Sequence, residues 1–125
     1  MINILVDEAY AFDYLSILDI KKNKTPSGYD AWLKCYTHLQ NQFDSNKWFS
    51  MIYSQEYIDM VSANLLTFEA VDKAKNNNVS AKYVDECNYQ RHLAKQNFQK
   101  KFFNSDLSEK KIGYEIYTHN NHTVA

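Results

Sequence analysis

Two glycines and one proline in 125 residues leave this chain few places to turn tightly. Hairpins and strand connections recruit those residues because they supply the backbone angles that a tight turn needs. A chain nearly without them folds most economically into long helices. At this length roughly two-thirds of the unfolded surface is buried on folding, enough for a core without metal or disulfides. The hydrophobic content of 45% and aromatic content of 15% supply that core. The expectation is an all-α, four- to five-helix bundle in a single domain over residues 1–117, with a polar tail over 118–125.

Apolar spacing places the helices. The first is expected from Ile4 to about Lys22, with apolar residues on nearly every side, so it reads as a central helix. Asn23 to Gly28 collects the turn residues and is expected as a loop. A second helix runs from Tyr29 or Asp30 to Phe43, with Trp32, Tyr36, Leu39 and Phe43 on one face. Asp44-Ser45-Asn46 breaks it and offers caps. The third is expected from Lys47 to Lys75, kinked near Ser54, with the stripe Met51, Ile58, Val61, Leu65 and Phe68. Asn76-Asn77-Asn78 ends it. Ser80 caps a fourth reaching about Phe103, with the stripe Val84, Cys87, Ala94, Phe98 and Phe102. A short fifth is expected from Ser105 to Gly113.

The net charge of −1, with both signs mixed along the chain, argues against a nucleic-acid surface, which needs a strong basic patch. Lys95, Lys100, Lys101, Lys110 and Lys111 read as a solvated face. No apolar run approaches the ~20 residues that span a bilayer, so no membrane partner is expected. The opening MINILVDEAY has no basic stretch ahead of an apolar core, so no export signal is expected. The location is therefore read as cytoplasmic, with Cys35 and Cys87 as buried free thiols and Asn121-His122-Thr123 a chance acceptor motif. Abundant lysine, asparagine, tyrosine and isoleucine fit an AT-rich bacterial or phage genome.

Five polar residues fall inside apolar stripes: Asp7, Asp13, Asn64, Asp72 and Arg91, the sole arginine. A buried charge must be paired, because leaving it alone costs several kcal/mol. Arg91 is expected to be the hub of an ion-pair network with Asp7, Asp13 or Asp72, since a guanidinium can serve two carboxylates at once. Such a network fixes helix register or, alternatively, lines a small-molecule pocket.

Glu56 and Asp59, and Glu69 and Asp72, form carboxylate pairs at i, i+3, a spacing that puts two oxygens on one helix face as Mg²⁺ requires. The second pair, E-x-x-D, resembles the metal motif of all-α NTP pyrophosphatases, the MazG-like and dimeric dUTPase-like enzymes. That resemblance implies a Mg²⁺-dependent nucleotide pyrophosphohydrolase with Glu56, Asp59, Glu69 and Asp72 as metal ligands. In the family an E-x-x-E pair on one helix faces an E-x-x-D pair on the next, whereas the first pair here ends in Asp59. No helix breaker separates the pairs, so Glu56 and Asp72 stand ~24 Å apart along one axis and meet only across an antiparallel dimer.

Cys35 and His38 have usable ligand spacing at i, i+3, but Cys87 and His92 point to different sides of a helix. The E-x-x-H pairs of di-iron bundles, phosphate-binding glycine loops and the G-x-S-x-G elbow do not occur. Tyrosines, ten in all, include Tyr83, Tyr89, Tyr114 and Tyr117, a residue type enriched at protein contacts. The leading expectation is a binding protein without a cofactor, acting on a protein partner or as a homodimer. The Mg²⁺ enzyme and the small-molecule bundle stand as alternatives.

Overall fold

The computed structural model describes residues 1–104. Five helices follow in order: α1 (Glu8–Lys21), α2 (Pro26–Gln40), α3 (Ser45–Ile52), α4 (Gln55–Lys75) and α5 (Ala81–Phe102). The described chain is an all-α bundle, as the shortage of glycine and proline predicts. None of its helices is long and apolar enough to cross a membrane. The short helix expected from Ser105, the boundary at 117/118, and Lys110, Lys111, Tyr114, Tyr117, His119 and His122 lie outside the described residues.

Side-chain oxygens start most of these helices. Thr25, Asp44, Ser54 and Ser80 each accept from the backbone N–H three residues on, satisfying a donor that the helix itself leaves unpaired. Pro26 and Gly28 therefore belong to the first turn of α2 and not to a loop. Proline is favoured at that position because its missing N–H has no intrahelical partner. A Cβ on Gly28 would stand 2.5 Å from the Lys21 carbonyl oxygen, so glycine lets the start of α2 close onto the end of α1. Asn77 ends α4 in the left-handed region at φ 59°. The N–H groups of Asn78 and Asn77 reach back to Lys73 and Ala74 at 2.9 and 3.0 Å, the bond pattern that a C-terminal glycine usually supports.

The single long third helix is two. At the break, Ser54 accepts from Tyr57 N–H and donates to the Met51 carbonyl at 2.6 Å. One hydroxyl thus closes α3 and opens α4. The expected stripe crossed that break, and its phase was wrong beyond it. The buried face of α4 is Tyr57, Met60, Asn64, Thr67 and Ala70, whereas Ile58 and Leu65 are exposed. Mostly compact residues on the inner face let α5 approach closely with Cys87 and Ala94. Short residues 76–80 fold α4 and α5 into an antiparallel pair.

α1 crosses this pair. Its first turn meets Gln99 of α5, and its last turn meets Tyr57 of α4. Phe12 lies at the core, with ring centroids of Phe98, Trp48 and Phe43 at 4.7, 5.8 and 5.9 Å. Trp48 is fully buried, and its indole N–H donates to the Tyr36 hydroxyl at 3.2 Å.

α1 also starts later than its apolar pattern implies. Ile4, Leu5 and Val6 precede it, with Asp7 in extended conformation at the cap position. β-Branched Ile2, Ile4 and Val6 favour extended backbone.

Candidate functional site

Asn64 is at the centre of the polar cluster. Its side chain is fully buried, and its amide nitrogen donates to Asp13 Oδ1 at 3.0 Å and to Ser16 Oγ at 2.7 Å. Ser16, also fully buried, donates in turn to the Asp13 carbonyl at 2.6 Å. Arg91 reaches Asp13 Oδ2 from α5 at 3.5 Å, and its other terminal nitrogen donates to Asn88 at 3.2 Å. Three helices therefore converge on one carboxylate. The bonds of Asn64, at 3.0 and 2.7 Å, are shorter and drier than those of Arg91, at 3.5 and 3.2 Å, so the asparagine and not the arginine is the hub.

That corrects the expected network. Of its three candidate carboxylates, Arg91 pairs only with Asp13. Asp7 is buried, but at the cap of α1, roughly 9 Å along the helix from Asp13. Asp72 faces solvent, because the register of α4 turns Ala70 inward instead. Asn64 Oδ1 and Arg91 Nε are buried without a hydrogen-bond partner. The cluster bridges α1, α4 and α5, and the two unpartnered atoms offset part of what its hydrogen bonds contribute.

Glu56, Asp59, Glu69 and Asp72 all lie on α4. The break at Ser54 precedes all four, so the two pairs remain on one helix and do not take the two-helix arrangement of the pyrophosphatases. At 100° per residue Glu56 and Asp72 also project roughly 160° apart. Asp59 accepts from Gln55 at 2.8 Å. Among the described residues no three His, Cys, Asp or Glu side chains are grouped to hold a metal ion.

Two arrangements were not anticipated. Tyr57 donates to Asp19 at 2.5 Å, and the other oxygen of that carboxylate pairs with Lys22 at 2.9 Å. Lys22 stands over the Trp32 ring, 4.4 Å from its centroid. Burial, followed by the bond to Asp19 and its negative charge, pushes the Tyr57 hydroxyl far above the ordinary tyrosine value of 10.0. This chain ties α4, α1 and α2 together; a tyrosine three residues after the break at Ser54 gave little hint of it. At the other end of α1, Gln99 accepts from Ala9 N–H at 2.9 Å and donates to Glu8 at 3.0 Å.

The second arrangement is an unpacked apolar segment. Ile2, Ile4 and Leu5 are 87, 70 and 88% exposed, with Met1 and Val6 exposed beside them. No backbone hydrogen bond joins residues 1–6 to another described residue. On the outer side of α4, Ile58, Leu65 and Leu66 are exposed as well. The signal for the arm was in the sequence, as β-branched residues alternating at positions 2, 4 and 6, but continuity with the apolar residues of α1 masked it. Compared with protein-family models, curated proteins and solved structures, the chain matches none.

Proposed function

We propose that this is a small cytoplasmic helical protein that acts by binding a protein surface, its own copy first, without a cofactor. The observation that carries the reading is the arm, residues 1–6, in which five apolar side chains lie open and no backbone hydrogen bond reaches another described residue. Apolar surface gathered in one place marks an interaction site far more often than scattered exposed leucines do. Exposed Ile58, Leu65 and Leu66 on α4 add a second apolar area. The polar cluster is turned inward and spent on its own helices, which suits a scaffold. Free Cys35 and Cys87 fit a reducing compartment, and the balanced charge favours a protein over a nucleic acid as partner.

The test is sedimentation of the purified protein over about 1 μM to 1 mM, a range that captures weak association. Mass rising toward a dimer, and an Ile4→Ser/Leu5→Ser variant that stays monomeric with unchanged helicity, is the expected result. A monomer throughout, or a dimer indifferent to both substitutions, contradicts the reading.

A further inference from the structure

We infer that in a two-fold dimer the arm of each copy, residues 1–6, lies on the outer face of α4 of the other copy. The inference rests on the association reading above and names the surface that the arm covers.

The outer face of α4 carries one short apolar row. Ile58, Ser62, Leu65, Leu66 and Glu69 follow one another at helical spacing, which puts them on one side of the helix. Ile58, Leu65 and Leu66 are 49, 43 and 43% exposed there. At 1.5 Å per residue these three span about 12 Å. Six residues of chain reach at most ~20 Å, so one arm is long enough to cover the row.

Arm and row also lie at one end of the bundle. Gln99, which accepts from the Ala9 N–H, is eighteen residues past Ala81 at the start of α5. Tyr57 is eighteen residues before Lys75 at the end of α4. Because α4 and α5 run antiparallel, the root of the arm is level with the first turn of α4 and with Ile58.

Charge favours the arm as the occupant. Asp59, Glu69 and Asp72 are exposed beside the row, and the arm has no charged side chain. It therefore meets the row without setting like charges together. Pairing two α4 faces would bring three carboxylates from each copy into one contact, an arrangement that costs free energy.

Area favours a reciprocal contact. At these exposures the three α4 side chains offer on the order of 250 Å², and an arm gives up a similar area in covering them. One contact thus buries roughly 500 Å², half of the roughly 1,000 Å² that a specific interface needs. Two contacts related by a two-fold axis reach that area, because each copy supplies one arm and one row. A dimer at this lower limit is weak and concentration-dependent.

Sedimentation of an Ile58→Ser/Leu65→Ser variant tests the surface, since both side chains are about half exposed in one copy. The expected result is loss of association with helicity unchanged, although the arm is intact. The contact itself is read with single cysteines in a Cys35→Ser background, because Cys87 is buried. In a mixture, a short bis-maleimide is expected to join Ile4→Cys of one copy to Leu65→Cys of another more than it joins either variant to itself. A dimer that survives Ile58→Ser/Leu65→Ser, or in which Ile4→Cys is joined only to its own kind, overturns the contact and leaves association standing. A monomer at every concentration in the original sequence overturns both.

Discussion

A buried asparagine is tolerated in a helix interface only while its amide protons are used, and Asn64 uses both. Asn64→Ala strips a hydrogen-bond donor pair from a carboxylate and a buried hydroxyl, and a loss of about 2–3 kcal/mol in urea unfolding is expected. Arg91 keeps its side chain partly in water and stands at 3.5 Å, so Arg91→Lys is expected to cost less than about 1 kcal/mol. The reverse order would restore Arg91 as the hub. Tyr57 carries a pH signature. Its folded-state value is raised, so the unfolded chain releases that proton first, near 10.0. The stabilisation is full below that pH and is lost as pH rises through and beyond it. Melting temperature should fall steeply above pH ~10. Tyr57→Phe should flatten most of that fall, leaving a smaller part from the Cys35 thiol, which burial also raises. An unchanged alkaline slope in Tyr57→Phe would contradict the assignment.

The elements are set by their ends more than by their middles. Ser54→Ala removes the cap of α4 and the bond that closes α3, so a loss of about 1–2 kcal/mol is expected by thermal unfolding. Gly28→Ala meets the Lys21 carbonyl, a backbone atom that cannot swing aside, and is expected to cost about 1–3 kcal/mol. Caps at Asp44 and Ser80, and the asparagine run that ends α4, were legible in the sequence because their chemistry is local, whereas Ser54 was read as a kink and not as a cap. The helix phase of α4 was not. Periodicity there continues across a two-residue break, and the inward face holds Asn64, Thr67 and Ala70 while Ile58 and Leu65 face out. Close approach of α5 outweighs hydropathy at those positions. The same limit explains the candidate site. Asp13, Asn64 and Arg91 were legible as misplaced polar residues. Which of them meet depends on how α1 crosses α4 and α5, and no spacing within one helix contains that information.

At the scale of the molecule, the described helical scaffold carries an apolar arm, residues 1–6, that is exposed and makes no backbone hydrogen bond to another described residue. Leaving Met1–Val6 open in water is unfavourable at roughly 25 cal/mol per Å² of apolar surface, and association relieves it. The bundle should be indifferent to the arm: Ile4→Ser/Leu5→Ser is expected to leave the melting temperature of the dilute monomer within a few degrees of the original. The central claim, that the arm is free in one copy and covered in two, is tested most directly by amide hydrogen exchange of residues 2–6 at low and high protein concentration. The account predicts immediate exchange when dilute and measurable protection when concentrated, with the core of α4 and α5 unchanged. Immediate exchange at every concentration would contradict it.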